Sequence, residues 1–506
     1  MRSATADQLL LNGRDLTVAD VVAVVRSGRR VALALDARER MGASRAVIER
    51  VVAGGETVYG VTTGFGDLAD VRIEPGQTAE LQRNLVRSHA AGVGDPLPVE
   101  VVRAMLLLRA NGLAIGLSGV RPEVVDLLCE MLNAGVHPVV PSRGSVGASG
   151  DLAPLAHVAL VLIGEGEAEG ASGPVQGGEA LRSAGLEPIE LQAKEGLALL
   201  NGTQLMTGLA VLALHDARRL ALEADLIGAM SLEAMLGTAS AFDQALIGAR
   251  PHPGQVAAAA HLREILADSE IGESHRSSPH RVQDAYSLRC MPQVHGAVRD
   301  ALDQLERVLL VEMNAATDNP LVFPDGQVRS GGNFHGEPLA LVIDYAKIAV
   351  SELASISERR TARLTDAHLS GLPPFLSDAP GLQSGLMIAQ YSAAALVNEL
   401  QTLTHPSSVD TIPTSANQED HVSMGATAAL HLREVVDRTE MVLAIEALCA
   451  AQGLDFREPL RPGVGVATAH RRVRASVPHL DSDRPPAPDI NAVRELLRDG
   501  SLLADA

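Results

Sequence analysis

Long apolar segments with helical spacing constrain the fold of this chain more than any other feature. One of them, EPLALVIDYAKIAVSELASI from Glu337 onward, is apolar on nearly every side, as is typical of a helix inside a bundle. Apolar residues recur at intervals of three and four over about residues 204–246, 296–315, 334–365, 382–404 and 422–452. The sequence therefore predicts a mainly α-helical protein with a long central bundle.

The two ends of the chain differ from this central part. TVADVVAVVRSG predicts a short helix with Thr17 as its N-cap and Gly28 as its end, whereas ETVYGVTTGFGD predicts an ordered loop. Near the other end, the prolines of HLDSDRPPAPD precede a last helix, INAVRELLRDG. We expect three regions: a smaller, loop-rich N-terminal region (1–200), a helical bundle (201–480), and a proline-rich connector with a short terminal helix (481–506).

Charge and cysteine content limit the partners and the location. The 506 residues include 42 Lys and Arg against 62 Asp and Glu, a net charge of −20, which repels phosphate backbones and anionic lipids. We therefore expect neither nucleic acid nor a membrane as a partner. Cys129, Cys290 and Cys449 lack CxxC spacing, which predicts neither a disulfide framework nor a zinc site. Since we find neither a signal segment nor an apolar run of membrane-spanning length, the expected location is the cytoplasm.

The stretch GSVGASGDLAPLAH, residues 144–157, crowds small residues between two apolar segments, unlike a flexible linker. A phosphate-binding loop would need GK[ST], and a hydrolase nucleophile elbow would need glycine where Asp151 stands. The order Ala148, Ser149, Gly150 permits another reaction, because the Gly150 amide has no Cβ beside it and can attack the Ala148 carbonyl. Dehydration, with loss of the Ser149 hydroxyl, would leave an electrophilic imidazolone ring with an exocyclic methylene.

Six further segments accompany this one: VYGVTTGFGD, RSHAAGVG, KEGLALLNGTQ, QDAYSLRC, GGNFHGEP and TSANQEDHVSMG. Together they resemble the histidine and aromatic amino acid ammonia-lyase family, from about Thr57 to Gly425. The resemblance implies the all-α fold of the ammonia-lyase and fumarase superfamily, and a homotetramer whose active sites are shared between subunits. It also implies the cofactor 4-methylidene-imidazol-5-one (MIO), formed from Ala148, Ser149 and Gly150.

The resemblance assigns roles at the reacting end of the substrate. Tyr59 is expected to take a proton from the β-carbon, with a packing or turn residue as the alternative. Arg289 is expected to hold the carboxylate by a bidentate fork, with a surface ion pair as the alternative. Tyr286, a catalytic residue by the same resemblance, is expected near the electrophile and the amino acid head together with Asn201 and Gln283. A helix would bring Tyr286 and Arg289 to one face.

The other assigned residues concern the ring and the cofactor. His89 and Glu419 are expected to face the substrate ring, since imidazole nitrogens need polar partners. The resembled phenylalanine and tyrosine lyases tend to read NQD where this chain reads NQED, which favours histidine. Phe334 is expected near the cofactor, with core packing as the alternative. The letters QEDH, residues 418–421, also suit metal ligands, but without an HExxH motif we expect no metal.

We therefore expect an enzyme that eliminates ammonia from L-histidine to give trans-urocanate, the first step of histidine breakdown. Within the same chemistry, a tyrosine or phenylalanine ammonia-lyase, an aminomutase and a lyase for a histidine derivative such as ergothioneine stay open. An inactive helical scaffold is the alternative of another class, although all the assigned residues are present together. Leu400 and Gln401 in NELQTLTHP, and Met291, depart from the family pattern and leave the side-chain preference open.

Overall fold

The computed structural model describes residues 8–64, 72–277 and 281–504. Within these ranges the secondary structure is mainly helical, so the mainly α-helical fold predicted from the sequence is confirmed. Of the predicted loop ETVYGVTTGFGD, residues 65–67 lie outside the described ranges. Across the same ranges, no helix combines the length and the apolar character that crossing a membrane requires.

Helices α1 to α20 are those of the described residues in chain order. They are α1 (Val18–Ser27), α2 (Leu35–Gly54), α3 (Thr78–His89), α4 (Val99–Ala114), α5 (Pro122–Ala134), α6 (Leu152–Leu162), α7 (Gly177–Ser183), α8 (Glu195–Leu200), α9 (Gln204–Ala234), α10 (Gln244–Gly248), α11 (Pro253–Ile265), α12 (Glu270–Ser274), α13 (Tyr286–Arg289), α14 (Met291–Glu312), α15 (Glu337–Thr365), α16 (Ala367–Ser370), α17 (Met387–Leu403), α18 (Gly425–Asp455), α19 (Val464–Ser476) and α20 (Pro486–Arg498).

Short strands pair two by two. The parallel pair is β1 (Leu9–Leu11) with β2 (Val31–Leu33), and the antiparallel pairs are β3 (Val93–Pro96) with β4 (Pro141–Arg143), β5 (Glu167–Ala168) with β6 (Val175–Gln176), and β7 (Leu321–Val322) with β8 (Val328–Arg329). Because each pair is only a few residues long, the strands tie loops together and the helices build the core.

Contacts divide the chain into two compact units, each made of three segments. The first unit comprises Met1–Leu212, Glu306–Asp344 and Pro406–Leu430, and the second comprises Ala213–Leu305, Tyr345–His405 and His431–Ala506. This partition by contacts is not the contiguous one expected from the sequence, and the regions 1–200, 201–480 and 481–506 stay a prediction about the order along the chain.

The first helix begins and ends where the sequence predicts. The Asp20 amide donates to Thr17 Oγ1 at 3.1 Å, and the Thr17 amide donates to the Asp20 carboxylate at 3.2 Å. This reciprocal pair is a capping box, which satisfies two amides that the helix itself leaves unpaired. Gly28 closes the helix in the left-handed conformation, with φ at 71°.

The five long helices are present, but α9 ends earlier than predicted. Apolar residues continue to about residue 246, among them the buried Met235 and Phe242 and the exposed Leu246, so their spacing predicts helix beyond its actual end. The helix nevertheless stops at Ala234, where the Gly237 amide donates to the Leu232 carbonyl at 2.8 Å and Leu236 adopts a left-handed φ of 52°. This is a Schellman-type end, and the periodicity of buried residues gives no sign of it.

Helix α4 lies in the core of the first unit and holds the backbone near Asn201. Thirteen of its sixteen residues are buried, among them Arg109. A buried guanidinium needs partners, and Arg109 donates to the carbonyls of Ala198 and Asn201, the latter at 3.0 Å. The end of α8 and the backbone of Asn201 are therefore held by the core.

Candidate active site

The turn formed by residues 144–151 is held by hydrogen bonds from within and from outside. Ser145 Oγ donates to Asp151 Oδ1 at 2.8 Å, and the Gly147 amide donates to Ser145 Oγ at 3.2 Å. Ser423 Oγ donates to the Gly147 carbonyl at 2.9 Å. A turn fixed in this way holds its small residues in one conformation, which a flexible linker would not do.

Asp151 joins this turn to helix α9. It is fully buried, and its Oδ2 accepts from the amides of Leu205 at 2.9 Å and Met206 at 3.1 Å. These amides belong to the first turn of α9, where a carboxylate is stabilised by the helix dipole. Burial nevertheless raises the pKa of Asp151 to about 6, while its hydrogen bonds to Met206, Ser145 and Leu205 act in the opposite direction. The carboxylate is therefore a structural anchor in a water-poor setting.

Gly150 lies against the backbone of Gly202. A Cβ on Gly150 would lie 2.2 Å from the Gly202 carbonyl oxygen, and the Gly150 φ of +70° is strained for any residue with a side chain. The Asp151 amide donates to the same carbonyl at 2.7 Å. Glycine is therefore required at position 150 both by conformation and by space.

We expect Gly150→Ala to lower the thermal unfolding midpoint more than Gly371→Ala does. Gly371 has nearly the same conformation, with φ at +67°, but no atom lies within 4 Å of its ideal Cβ. Both variants bear the left-handed penalty of about 1–2 kcal/mol, and Gly150→Ala adds an overpacking cost of about 1–3 kcal/mol. Equal midpoints, measured by circular dichroism, would show that the contact with Gly202 does not restrict this position.

A cavity of about 670 Å³ opens within the first unit. Six residues predicted from the sequence line it: Tyr59, Ala148, Ser149, Asn201, Phe334 and Glu419. It is also lined by Leu197, Asn319, Ser330, Gly331, Gly332, His335, Gln418, Asp420 and His421. One residue assigned to each of the proton, the electrophile, the amino group and the ring thus lines one cavity, whereas His89, Gln283, Tyr286 and Arg289 are not among its lining residues in the described chain.

The Asn201 side chain lines this cavity and is 2% exposed. Its Nδ2 donates to the Asn319 carbonyl at 3.3 Å and lies 3.5 Å from Asp318 Oδ1. Its Oδ1 is buried and has no hydrogen-bond partner among the described residues. Since buried acceptors are nearly always paired, this oxygen is suited to a donor on a ligand.

Two charged residues beside Asn201 escaped the sequence analysis. Lys194 Nζ and Asp318 Oδ2 form an ion pair at 2.6 Å, with side-chain exposures of 0% and 1%. Burial lowers the pKa of Lys194, the charge of Asp318 opposes this, and the charge of Arg109 adds to it. The segment KEGLALLNGTQ contains the signal that could have identified Lys194, a charge directly before an apolar run that ends at Asn201.

His89 is the last residue of α3 and, within the described part of the chain, is not among the residues that line the cavity. Its Nδ1 donates to the Leu85 carbonyl at 2.9 Å, which leaves Nε2 as the nitrogen that can accept in the neutral ring. Burial lowers the pKa of His89, while the bond to Leu85 and the negative charge of Glu419 act in the opposite direction. His89 and Glu419 are therefore electrostatically coupled.

Glu419 closes a small loop with Thr414. Thr414 Oγ1 donates to Glu419 Oε2 at 2.5 Å, and the two backbones pair in both directions at 3.0 and 3.3 Å. Between them, Ser415, Ala416 and Asn417 are all left-handed, with φ of 50°, 52° and 68°. This conformation costs about 1–2 kcal/mol for Ser415 and for Ala416, whereas asparagine tolerates it better, so the residues that position Glu419 store backbone strain.

Tyr286, Arg289 and Gln283 belong to the second unit. The predicted helix is present as α13, and Arg289 Cζ lies 4.6 Å from the centroid of the Tyr286 ring, a cation–π contact. Arg360, which pairs with the buried Glu446 at 2.5 Å, donates to the backbone of α13. Tyr286 is 71% exposed and Gln283 is exposed as well. Arg360 therefore holds the backbone of α13, and the side chains of Tyr286 and Gln283 stay accessible to solvent.

Grouped metal-ligand side chains occur in the second unit. Within the part of the chain that the structure describes, Asp378, His479 and Asp481 place one ligand atom each within 4.8 Å of one another. His479 is already engaged, since its Nδ1 contacts Asp455 at 2.6 Å and its Nε2 contacts Asp378 at 3.1 Å. These contacts read as an ion-pair network.

The family model described as aromatic amino acid lyase matches residues 16–475. This chain belongs to the aromatic amino acid lyase family.

Particular members of the family are closely similar. A histidine ammonia-lyase from Anaeromyxobacter sp. (strain K) is 58% identical over 505 residues, which cover 98% of this chain and 99% of that protein. The crystal structure of histidine ammonia-lyase from Trypanosoma cruzi is 44% identical, with a TM-score of 0.91 and coverage of 98% of this chain and 94% of that one. The tyrosine aminomutase from Streptomyces globisporus is 38% identical, with a TM-score of 0.93 and coverage of 98% of both chains.

Proposed function

We propose that this chain is a carbon–nitrogen lyase that eliminates ammonia from L-histidine to give trans-urocanate. The similarity to proteins named histidine ammonia-lyase, over nearly the whole length of both chains, supports this activity. The observation that carries the proposal is the cavity itself, because Tyr59, Ser149 and Glu419 all line it. One substrate can therefore meet a base, an electrophile and a ring acceptor together.

The cofactor is the second part of the proposal: Ala148, Ser149 and Gly150 form MIO. These residues fit the group, since Gly150 has no side chain to hinder its amide, and a Cβ there would strike the Gly202 carbonyl. The bonds of Ser145 and Asp151 hold the turn, and Ser149 lines the cavity. Once formed, the group supplies an electrophile that assists the departure of ammonia, which is a poor leaving group.

The side chains of the cavity bind and orient the substrate. The Tyr59 side chain, acting as the phenolate, takes the β-hydrogen as a proton and becomes the phenol, which needs its oxygen in hydrogen-bond reach of that atom. The Asn201 Oδ1, a buried acceptor without a partner among the described residues, accepts from the amino group. Glu419 accepts from a ring N–H with the oxygen that Thr414 does not use. Phe334 packs beside the cofactor.

Shared sites in a homotetramer complete the proposal. The large apolar side chains exposed on α15 and α17 include two pairs spaced three apart, as a contact face of each helix requires: Tyr345 and Ile348, at 51% and 42%, and Ile388 and Tyr391, at 53% and 60%. Tyr286, Arg289 and Gln283 would enter the site from a neighbouring subunit, with Arg289 forking the carboxylate. We also expect the tetramer to work in the cytoplasm, where the three free cysteines of each chain stay reduced.

We expect fast deamination of L-histidine and little or none of L-tyrosine and L-phenylalanine. An apolar ring would leave the Glu419 oxygen that Thr414 does not use desolvated and unpaired, at a cost of about 1–3 kcal/mol or more. The measurement is a side-by-side ultraviolet assay of the three amino acids and ergothioneine. Glu419→Ala should lower kcat/KM for histidine about 10- to 100-fold, because a hydrogen bond to a charged group contributes ~1.5–3 kcal/mol.

Glu419→Gln is the control, since it keeps the length and one acceptor and should lose less activity than Glu419→Ala. Faster turnover of tyrosine than of histidine by the wild type would contradict histidine as the substrate, but it would still agree with an ammonia-lyase. Formation of a β-amino acid in place of the unsaturated acid would indicate an aminomutase, the activity named for one structural relative.

A further inference from the structure

We infer that Asp318 is a positioning residue which, paired with Lys194, fixes the Asn201 amide so that its carbonyl oxygen receives the amino group of the substrate. The inference rests on the proposed function for the identity of the substrate. It adds two residues that neither contact the substrate nor belong to the residues that line the cavity in the described chain.

Asp318 uses both oxygens within the protein. Its Oδ2 pairs with Lys194 Nζ at 2.6 Å, and its Oδ1 accepts from the Asn319 amide at 2.7 Å. The same Oδ1 lies 3.5 Å from Asn201 Nδ2. The Asp318 carboxylate is therefore held by Lys194 and by the Asn319 amide. Its Oδ1 can accept one more hydrogen bond, and Asn201 Nδ2 is the donor next to it.

The direction of the Asn201 amide follows from these contacts. Its nitrogen faces two acceptors, Asp318 Oδ1 and the Asn319 carbonyl oxygen. Turning the amide by half a revolution would set an oxygen against both, one of them on an anion, which is repulsive. The polarity of the side chain is thus fixed, and Oδ1 is the end left for a ligand.

Lys194 stabilises the buried carboxylate of Asp318 electrostatically. A lone carboxylate at 1% exposure would be strongly disfavoured, and a paired cation offsets that cost. Lys194 itself is held in a left-handed conformation, with φ at 75°, directly before α8. Arg109 donates to the main-chain carbonyl of Asn201 at 3.0 Å. The backbone of Asn201 and its side-chain amide are therefore fixed by separate groups.

The experiment compares two double variants that remove the ion pair equally. Lys194→Met/Asp318→Leu and Lys194→Met/Asp318→Asn both lack the two charges and have side chains of similar size at 318. Only the asparagine keeps an oxygen that can accept from Asn201 Nδ2. Both are made with Tyr59→Phe, so that L-histidine can be bound with little turnover, and folding is checked by circular dichroism and intact mass.

The readout is affinity for two ligands, measured by calorimetry: L-histidine, and imidazolepropionate, which has the same ring and carboxylate but no amino group. We expect Asp318→Leu to weaken L-histidine about 10- to 100-fold relative to Asp318→Asn, as loss of a supporting hydrogen bond does around metal ligands. Imidazolepropionate should bind the two variants alike. Such a split cannot come from a general loss of structure.

Equal weakening of both ligands, or equal affinity of both variants for L-histidine, would overturn the inference. If the leucine variant does not fold, Lys194→Met/Asp318→Ala removes the oxygen without an apolar branch, and the same comparison applies. If the wild type does not release ammonia from histidine, the proposed function fails. The comparison is then made with the amino acid that is turned over and its deamino analogue.

Discussion

The Ser149→Ala variant will not show the loss of two water molecules and will release almost no ammonia. Alanine has no hydroxyl to lose, so the exocyclic methylene cannot form, whereas the wild type should be lighter than its sequence by two water molecules. Without the electrophile, the departure of ammonia loses its covalent assistance, and we expect kcat to fall about 10³-fold or more. Intact-mass spectrometry and the ultraviolet assay measure the two effects on one preparation.

Ser330→Ala is the matched control for Ser149→Ala. Ser330 lines the same cavity, but its hydroxyl has no part in the proposed ring. The control should keep the loss of two water molecules and far more of the activity. A fully active wild-type preparation with an unmodified mass would contradict the proposal that MIO forms from residues 148–150, whichever amino acid is the substrate.

Tyr59→Phe should lower kcat for histidine by about 10²- to 10⁴-fold, the usual cost of removing a group that transfers a proton. KM should change little, because the hydroxyl is proposed to act on the proton in the transition state rather than to bind the ground state. Steady-state kinetics over a range of histidine concentrations separate the two constants. The loss of two water molecules should persist, since Tyr59 is not part of the ring.

Tyr391→Phe removes the same hydroxyl from α17, outside the residues that line the cavity in the described chain, and keeps the apolar ring of the proposed contact face, so it serves as the comparison for Tyr59→Phe. Its kcat should stay close to that of the wild type. Near-normal turnover by Tyr59→Phe would move the base to another side chain and leave Tyr59 as a wall of the cavity.

Periodicity predicted the helices well and their ends poorly. A buried helix repeats its apolar residues whatever stops it, and α9 stops at a left-handed Leu236, a residue type that does not signal a helix end. The capping box at Thr17 was predictable, because its two partners are three residues apart and both carry the required side chains.

For the candidate site, the motifs identified the residues of the cavity but not the groups that hold them. Ser149 and Asn201 stand in strings that resemble a known family, so their positions could be named from the sequence. The Lys194–Asp318 pair joins residues 124 positions apart, and nothing in either string specifies the other. The approach of Gly202 to Gly150 likewise depends on how α6 and α8 pack. Contacts of this kind arise only in the folded chain.

The closed loop of residues 414–419 bears on how family members can diverge. Its ends are tied to each other, and the chain is fastened again at Ser423 and Met424, which bond to Gly147 and Val146 at 2.9 Å. The difference between NQED and NQD concerns Glu419, the residue that closes the loop, and it lies before the second attachment at Ser423 and Met424. Substrate preference can drift by insertion and deletion at this place during evolution while the reactive turn keeps its inherited shape.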